Sequence, residues 1–371
     1  MLRDIVRVIE KAVAQVSQEV IPGIESLGRV AARTGRAGRN LPAFDVSALD
    51  GFACRGSGNT FVAKGSLEPG QRGSVVLKVG EAIFVPTGAA IPAGSRFVPR
   101  EYVAEEGTRI SVETAADIRK VWRKGYWIGK GEYVVRKGET IGPRTMELLA
   151  LANLQSVPVY RKPGARLLST GNELKKGIVV NSNQYLLTGL LQRDGGEVVG
   201  TAIAGDDERE IGEALSHVKD SDLLLVTGGT AKGLKDVTRA AFQASGALFL
   251  LESQPIVPGK TMAFGTIDHL PFFILPGNPR ALRTLYEVFV RPCLSKLCGK
   301  VGATAVSRAR APEDIDKDPD AIHLIPVLLS GGHPVRIEQL HVDEPDGFVV
   351  LERGTNHVKA GEEVSVQWVN V

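Results

Sequence analysis

Three glycine-containing loops hold the residues of this 371-residue chain whose types and spacing could do chemistry. They read Leu168-Ser-Thr-Gly-Asn-Glu-Leu174, Leu225-Val-Thr-Gly-Gly-Thr-Ala-Lys-Gly-Leu-Lys-Asp236 and Phe273-Ile-Leu-Pro-Gly-Asn-Pro-Arg280. In the first loop, Asn172 could cap a helix and Glu173 could project into a crevice. The second and third loops each open a helix, whose free N–H groups and dipole attract anions. Together the loops predict phosphate binding, although each alone is also typical of a tight turn or a helix start.

Two further segments contain oxygen-bearing or positively charged side chains. Leu41–Ala53 places Asp45, Ser47 and Asp50 close together, which is enough oxygen for a hard cation, with turn and cap chemistry as the alternative. Pro258-Gly-Lys-Thr261 puts a lysine in a turn ahead of a strand, where a solvated loop cation is the alternative. Neither segment identifies a function by itself.

The three loops lie in a region, from about residue 165 to 297, where apolar runs typical of strands alternate with helical segments. These segments are Arg166–Ser169, Tyr185–Asp194, Glu197–Ile203, Glu208–Val218, Leu223–Val226, Val237–Gln243, Leu248–Leu250, Phe272–Leu275 and Leu282–Phe289. The alternation predicts a parallel, doubly wound α/β sheet. Ligands of such sheets bind beyond the carboxyl ends of the strands, so function is expected in the loops after Ser169, Val226 and Leu275.

The rest of the chain predicts smaller units. The first forty residues show helical periodicity through Ile5, Ile9 and Val16 and then a Gly/Arg-rich loop, so we expect one helix and a loop. Short β-branched runs from Val46 to about Tyr133 predict a small β module, and the helical signal that returns at Thr145 suggests that this module is an insertion. The boundaries expected are 1–46 with 134–163, 47–133 for the inserted β domain, 164–297 for the α/β domain, and 298–371 for a terminal β domain.

Composition excludes several classes of protein. The chain has 43% hydrophobic and 23% charged residues and a formal net charge of +3, which excludes disordered, collagen-like and coiled-coil chains. The longest apolar runs, such as Leu223–Val226, are far shorter than the ~20 residues of a membrane span. The N-terminus reads as an amphipathic, charged helix where a signal peptide would be apolar, so a cytoplasmic location is expected.

Cysteine and histidine patterns give no site of their own. Three cysteines without CxxC spacing predict neither a disulfide framework nor a zinc site, and the six histidines show no metal-ligand spacing. Nucleic acid is a poor candidate partner, because Arg33, Arg36 and Arg39 form the one basic cluster and no aromatic residues are interleaved with them.

The order and spacing of these segments resemble those of molybdopterin molybdenumtransferase, the molybdenum insertase family that includes the gephyrin E domain. The motifs are Leu41–Ala53, Pro86-Thr-Gly-Ala89, Ser169–Leu174, Gly228–Asp236, Pro258-Gly-Lys260 and Leu275–Pro279. The tail, with Gly347–Leu351 and Ala360–Val364, is similar to the C-terminal β-barrel of the family. The resemblance therefore extends over nearly the whole chain.

The resemblance implies a homodimer of elongated four-domain subunits, in which residues 1–46 and 134–163 form the elongated dimerisation domain and the active site is shared between subunits. Adenylylated molybdopterin would bind along the α/β domain, and its Mg²⁺-dependent hydrolysis would release AMP while molybdate enters the dithiolene. A molybdopterin adenylyltransferase and apo-molybdoenzymes are the partners that it suggests, with no nucleic acid and no membrane.

The motifs of the family assign roles to residues of this chain. The catalytic residues implied are Asp50, Thr87, Glu173 and Asp236. The metal ligands implied are Asp50, Glu173, Asp206, Asp207 and Asp236, with the choice between Asp206 and Asp207 left open. The ligand-binding and phosphate-binding residues implied are Ser169, Thr170, Gly171, Gly228, Gly229, Lys232, Gly233, Lys260, Pro276, Gly277, Asn278, Pro279 and Arg280. A pyrophosphate cleavage requires groups of these types, because a metal must neutralise the developing charge and carboxylates must hold the metal or orient water.

The chain departs from the family pattern at several positions. A serine is replaced by Ala231, a lysine by Val257, an arginine by Gly129, and aspartates by Tyr133 and Arg96. In one hypothesis, Lys232 and Arg280 replace the lost positive charge and the enzyme is intact. In the other, the chain is a divergent, non-catalytic protein that binds molybdopterin or a nucleotide. The acidic and hydroxyl residues retained at the catalytic positions favour the enzyme, because crowded carboxylates near an anion are unfavourable unless a metal offsets their charge.

Overall fold

The computed structural model describes residues 2–68, 70, 75–112, 120–228, 234–301, 305–330, 333–336 and 344–369. Its α-helices are α1 (Leu2–Lys11), α2 (Pro143–Leu151), α3 (Asn172–Lys175), α4 (Ser182–Arg193), α5 (Glu208–Leu215), α6 (Leu234–Ala244), α7 (Pro279–Leu285) and α8 (Arg291–Leu297). A π-helical turn, Tyr286–Val290, joins α7 to α8, and short 3-10 turns lie at Gly23–Glu25 and Arg100–Tyr102.

The N-terminal part of the chain is built from short strands. They are β1 (Gln18–Pro22), β2 (Gly35–Arg36), β3 (Val46–Ser47), β4 (Gly51–Cys54), β5 (Thr60–Ser66), β6 (Glu81–Val85), β7 (Arg96–Pro99), β8 (Val103–Glu106), β9 (Arg109–Val112), β10 (Val121–Trp122), β11 (Tyr133–Val135) and β12 (Ser156–Tyr160). Strands β4 to β9 form one six-stranded sheet in the order β7-β4-β6-β5-β9-β8, which we call the β module. The antiparallel pairs β1–β12 and β2–β11 join the chain before this module to the chain after it.

The prediction of a single helix followed by a loop over the first forty residues is wrong in its second part. Helix α1 ends at Lys11, and Val13 and Val16 are buried beyond the helix. Strand β1 then pairs with β12, with Gln18 opposite Tyr160. Because this pairing partner lies far along the chain, the local helical periodicity gives no sign of the strand.

The central sheet contains β13 (Gly164–Thr170), β14 (Glu197–Ala204), β15 (Leu223–Thr227), β16 (Leu248–Glu252), β18 (Ala263–Ile267) and β19 (Leu270–Leu275), while β17 (Ile256–Val257) leaves it. The strand order is β14-β13-β15-β19-β18-β16. Leu225 packs in a cluster with α1, α4, α7 and α8, whereas its neighbours Leu224 and Val226 pack in a second cluster with α5 and α6. Helices therefore cover both faces, as a continuous apolar strand requires.

The prediction of a fully parallel sheet holds for four strands and is wrong for two. Strands β14, β13, β15 and β19 are parallel, but β18 and β16 are antiparallel to their neighbours. A strand was expected after the Pro258–Thr261 turn, and β18 is that strand, but its antiparallel direction was not expected. Asp268 and His269, which join β18 to β19, both have positive φ, of 46° and 70°. Two such residues form a tight hairpin, and a hairpin makes its strands antiparallel.

The C-terminal strands are β20 (Val306–Arg310), β21 (Ile315–Asp316), β22 (Ile322–Ser330), β23 (His333–Arg336), β24 (Gly347–Leu351), β25 (His357–Val358) and β26 (Glu363–Trp368). The sheet that we call the C-terminal sheet has the order β17-β22-β24-β26-β20, with β23 added to β22. Strand β17 joins this sheet in parallel with β22, so the turn after β17 lies between the two sheets. Across the part of the chain described, no helix combines the length and the apolar character that a membrane crossing needs.

Candidate functional site

The carboxyl ends of β13, β15 and β19 meet at one edge of the central sheet, which we call the loop edge. The Thr227 hydroxyl donates to Ser169 Oγ at 3.2 Å, and the Thr170 hydroxyl donates to the Thr227 carbonyl at 3.3 Å. Asn181 Nδ2 also donates to Ser169 Oγ, at 3.0 Å. Ser169 and Thr170 are only 3% and 2% exposed. Their side chains therefore hold the strand ends together, and a ligand at this edge would meet the residues that follow them.

Two glycines at the loop edge have backbone conformations that other residues rarely adopt. Gly171 has φ +149° and Gly228 has φ +94°. A Cβ atom on Gly228 would lie 2.9 Å from Thr170 Oγ1 and closer still to the Thr170 carbonyl oxygen. The Gly228 N–H donates to the Leu275 carbonyl at 3.2 Å, which ties the ends of β15 and β19 together. The close packing of these loops therefore requires glycine at this position.

The carboxylates along the same edge differ in whether their oxygens already accept hydrogen bonds from the protein. Glu173 and Asp236 are exposed in the first turns of α3 and α6. Asp206 is half-buried, and its Oδ2 accepts from the Asn172 N–H at 3.1 Å. Asp207 caps α5, because its Oδ1 accepts from the N–H groups of the second and third residues after it at 3.0 and 3.1 Å. Glu173, Asp206 and Asp236 are therefore freer than Asp207 to bind a ligand.

The Pro276–Arg280 segment begins α7. Asn278 Oδ1 accepts from the Arg280 N–H at 2.9 Å, and Pro279 is the first helical residue. Asn183 Nδ2 donates to the Gly277 carbonyl at 2.8 Å, and its Oδ1 is buried without a hydrogen-bond partner. Sequence reasoning gave Asn183 no role. The signal available was its position in the first turn of a helix that opens beside the loop edge.

Of the two lysines expected to bind phosphate, Lys260 is among the described residues and Lys232 is not. Gly229, Lys232 and Gly233, with the replaced position Ala231, lie outside the described residues. Lys260 is exposed in the turn after β17, with Nζ 3.6 Å from Asp318 Oδ2. Gly259, beside it, packs against Leu285 of α7. Lys260 is therefore held near the start of the C-terminal sheet.

A cavity of about 340 Å³ separates α7 from the C-terminal sheet. Val257, Arg280, Thr284 and His323 are among the residues that line it. His323 Nε2 is buried without a hydrogen-bond partner. Burial, with the nearby charge of Lys317, lowers the pKa of His323 below its usual value, so the ring is neutral at pH 7. No function was expected of the histidines from the sequence, because His323 stands within an apolar strand and has no ligand-like neighbour in the sequence.

Asp50 and Thr87 form a hydrogen-bonded pair in the β module. Asp50 Oδ1 accepts from the Thr87 backbone N–H at 2.7 Å and from its hydroxyl at 2.8 Å. These bonds, led by the backbone N–H, hold the pKa of Asp50 below its usual range, and the carboxylate is exposed. Among the described residues, no hydrogen bond or ion pair joins either side chain to the loop edge, and the buried residues of the β module pack in clusters that contain no residue of the central sheet. In the described part of one chain, this pair therefore makes no hydrogen bond or ion pair with the loop edge.

The residues expected to bind a metal do not form a cluster among the described residues of one chain. Over those residues, no group of three or more His, Cys, Asp or Glu side chains is arranged to hold a metal ion. The five carboxylates assigned to a metal therefore do not form one site in a single chain. Asp50 lies in the β module, whereas the other four follow strands or open helices of the central sheet.

The departures from the family pattern have structural partners of their own. Tyr133 lies between Arg36 and Arg136, whose guanidinium carbons are 3.9 and 4.3 Å from its ring centroid. Arg96 donates to the Gly58 carbonyl at 2.6 Å. These replacements are accommodated within the N-terminal strands and the β module.

Comparison with known proteins gives two matching families. The family described as "MoeA N-terminal region (domain I and II)" matches residues 2–152, and "Probable molybdopterin binding domain" matches residues 166–296. The chain is 31% identical over 318 residues to a molybdopterin molybdenumtransferase of Synechococcus elongatus, covering 77% of this chain and 78% of the relative. It is 28% identical over 379 residues to that of Haemophilus influenzae, covering 93% and 92%. The crystal structure of a molybdopterin biosynthesis MoeA protein from Pyrococcus horikoshii superposes with a TM-score of 0.79 at 27% identity, covering 99% of this chain and 98% of that one.

Proposed function

Because this chain belongs to the molybdopterin molybdenumtransferase family, a transferase family of molybdenum cofactor biosynthesis, we propose that it inserts molybdenum into molybdopterin by hydrolysing an adenylylated molybdopterin. Molybdate and the adenylylated pterin are the substrates, and AMP is released. A molybdopterin adenylyltransferase would supply the pterin substrate, and apo-molybdoenzymes would take the product.

The observation that supports this proposal most directly is the convergence of glycine-bearing loops at the loop edge. A Cβ atom added to Gly277 would lie 3.9 Å from the Cα of Gly228, and the Gly228 N–H donates to the Leu275 carbonyl, so these two loops lie side by side. An extended ligand could therefore lie against backbone along the strand ends, where ligands of open α/β sheets bind. The exposed side chains of Glu173 and Asp236 flank this surface.

Positive charge for the phosphates would come from the residues around α7. Arg280 is exposed in the first turn of α7, and Lys260 lies in the turn that packs against the same helix through Gly259. Hydrogen bonds between such cations and phosphate oxygens are charge-assisted and stronger than neutral ones. Arg280 also lines the cavity that reaches His323, so an oxyanion between α7 and the C-terminal sheet would meet a cation on the α7 side.

Asp50 would orient a reactant rather than deliver a proton. Its lowered pKa keeps it ionised at neutral pH, so it is a poor proton donor. Thr87 occupies Oδ1 with two hydrogen bonds, which fixes the carboxylate and leaves Oδ2 to accept from a water or a ligand. A fixed, charged acceptor of this kind positions the attacking water.

Magnesium fits the donors at the loop edge. Mg²⁺ in phosphate-transfer sites usually takes one or two protein carboxylates together with substrate phosphates, so a cluster of three carboxylates is not required. One or two of the side chains Glu173, Asp206 and Asp236 would hold it together with the substrate phosphates, because Asp207 is engaged in capping α5. When bound, the ion neutralises charge that develops on the phosphate oxygens.

Because no hydrogen bond or ion pair among the described residues of one chain joins Asp50 to the loop edge, we propose a homodimer with a shared site. In this arrangement, the β module of one subunit would bring the Asp50–Thr87 pair to the loop edge of the other. A cyclic dimer forms two such sites by symmetry.

The test is AMP release by the purified chain given adenylylated molybdopterin, Mg²⁺ and molybdate. We expect Asp50→Asn to abolish release, because the substitution removes the charge with little change in shape. Glu101→Gln is the matched control, since Glu101 is an exposed carboxylate of the same part of the chain and has no assigned role. Equal release by wild type and Asp50→Asn would contradict the role of Asp50.

Mixed dimers test the shared site separately. Suppose that Asp50 of one subunit completes the site that holds Asp236 of the other. An equal mixture of inactive Asp50→Asn and Asp236→Asn chains should then recover about a quarter of wild-type activity after subunit exchange. Half of the dimers are mixed, and each mixed dimer has one intact site of its two. No recovery despite exchange would place both residues in the site of one subunit.

The alternative, a protein that binds the pterin without catalysis, is favoured by one observation. Val257, where the family has a lysine, lines the cavity beside Arg280 and offers no charge to an oxyanion there. Saturable binding of adenylylated molybdopterin without AMP release would identify this alternative.

A further inference from the structure

A second cleft, of about 560 Å³, lies at the opposite edge of the central sheet from the loop edge. Residues 160–162 on its wall lead directly into β13, and residues 192–195 precede β14. Strands β13 and β14 then run away from the cleft to the loop edge. Strands of this length span about 20 Å at ~3.3 Å per residue, so the cleft is separate from the candidate site.

The lining of this cleft has six cationic side chains, and four of them, the arginines, are ion-paired with the carboxylates of Glu19, Asp222, Asp194 and Glu287. Its other walls are residues 27–30, Thr140 and the helix α8 with its flanking residues. The cationic side chains that line it are Arg29, Arg161, Lys162, Arg193, Arg291 and Lys300, and the carboxylate among its lining residues is Asp194. The three parts of the chain that meet here, before the β module, after it and at the end of α8, all contribute a cation.

The arginines of the cleft are held by hydrogen bonds. Arg29 Nη2 donates to the Tyr160 carbonyl at 2.8 Å, and Arg161 Nη1 donates to Asp222 Oδ2 at 2.6 Å. Arg193 lies 2.7 Å from Asp194 Oδ2 and Arg291 lies 3.1 Å from Glu287 Oε2. A guanidinium has five N–H donors, so each held arginine retains donors for a ligand and loses little further entropy when it binds one.

The two lysines provide the charge that the carboxylates leave unmatched. Lys162 and Lys300 are both exposed, and neither makes an ion pair with any residue that the structure describes. Burial raises the pKa of the neighbouring Cys298 thiol to about 12; the charges of Lys300 and Arg29 lower it, and those of Asp194 and Asp222 raise it. Lys300 and Arg29, from two separate parts of the chain, both line the cleft together with this thiol.

We propose that this cleft binds a compact phosphoanion, either inorganic or a small phosphate ester. Two unmatched lysines beside oriented guanidinium groups favour a multivalent oxyanion. Tyr160 is the aromatic residue among the cleft's described lining, and it is 3% exposed with its hydroxyl 3.2 Å from Gln15 Oε1. The described lining thus offers no aromatic face on which a nucleobase could stack, which favours a ligand without a base.

The ligand would link parts of the chain that are distant in sequence. Lys162 leads into the central sheet, Lys300 follows α8, and Arg29 belongs to the segment before the β module. A bound anion that contacts all three would stabilise the arrangement of the N-terminal strands against the central sheet, since binding to the folded state alone raises stability. This site does not depend on the proposed reaction.

The test is calorimetric titration of the full chain with inorganic pyrophosphate and, separately, with glycerol 3-phosphate at constant ionic strength without divalent cations. We expect saturable binding of at least one of them, and the tighter of the two identifies the inorganic or the ester source. The Lys162→Ala/Lys300→Ala double variant should bind that probe at least tenfold more weakly. Lys296→Ala/Lys359→Ala removes two exposed lysines that do not line the cleft and should bind as the wild type does.

A further variant separates this cleft from the candidate site. Lys260→Ala removes a cation assigned to the candidate site, and it should leave unchanged the binding event that the Lys162/Lys300 double variant weakens. Unaltered affinity in the Lys162/Lys300 double variant, loss of binding in Lys260→Ala, or no saturable binding of either probe by the wild type would each overturn the proposal.

Discussion

Gly228 offers the most direct test of how the loop edge is built, through the substitution Gly228→Ala. Gly228 has φ +94°, and a Cβ atom there would lie 2.9 Å from Thr170 Oγ1, inside the 3.0 Å that real Cβ atoms keep. It would come closer still to the Thr170 carbonyl oxygen, which belongs to the backbone and cannot rotate away. The ends of β13 and β15 would have to move apart.

Two effects contribute to the expected loss of stability. Holding an alanine in the left-handed region costs roughly 1–2 kcal/mol. Forcing extra volume into close-packed structure costs about 1–3 kcal/mol more. We therefore expect Gly228→Ala to destabilise the central sheet by ~2–5 kcal/mol, a large part of the 5–15 kcal/mol that is typical of a domain.

Gly246→Ala is the matched control, because it separates the two effects. Gly246 has φ +81°, yet a Cβ atom there would meet nothing within 4 Å. The control should cost only the backbone contribution, roughly 1–2 kcal/mol. Amide hydrogen exchange in β13 and β15 measures the difference locally, together with urea unfolding followed by circular dichroism. A loss in Gly228→Ala no larger than that in Gly246→Ala would refute the close approach of Gly228 to Thr170.

Three further predictions follow from single contacts. Thr87→Val removes the hydroxyl donor to Asp50 and should move the pKa of Asp50 up toward its usual value, measured by a carboxyl NMR titration. Thr87→Ser keeps the hydroxyl and should leave that pKa unchanged. An unchanged pKa in both variants would mean that the hydroxyl does not stabilise the carboxylate. Asn278→Ala removes the cap of α7 and should lower the free energy of unfolding by about 0.5–2 kcal/mol in urea. Asn278→Asp keeps a capping oxygen and should lower it less. Equal losses of stability in the two variants would argue against a capping role. Because the pKa of His323 is lowered in the folded protein, the unfolded chain binds more protons just below pH 6.5, so stability falls on acidification through that range. His323→Gln should flatten the dependence of the melting temperature on pH between 5.5 and 7.5, and a wild-type slope in that variant would contradict the burial of the ring.

The sequence determined the features that depend on local chemistry. The apolar run Leu223–Val226 predicts a strand covered on both faces, and the structure buries it between two helical layers. The Pro-Gly-Asn-Pro segment predicts a helix start, and Asn278 caps that helix. The order of the motifs predicts the family, which the comparisons confirm. Periodicity and capping act over a few residues, so they can be read without knowing the fold.

The candidate site was predicted less completely. Sequence reasoning placed functional loops after three strands, and the structure brings those strand ends to one edge. It gave no sign that Asp207 would cap a helix, that His323 would line the cavity beside Arg280, or that the hydrogen bonds of the Asp50 carboxylate would go to Thr87 and not to the loop edge. The roles assigned to the site residues stay predictions.

Only the tertiary structure decided which distant segments pair. Strand β17 leaves the central sheet to join β22, β1 pairs with β12, and the basic cleft gathers Arg29, Lys162 and Lys300 from three parts of the chain. The free energy of such contacts depends on which strand edges and charges remain unpaired once the rest of the chain has packed. That condition belongs to the whole molecule and leaves no local pattern, which is why residue types and spacing predicted the elements but not these junctions.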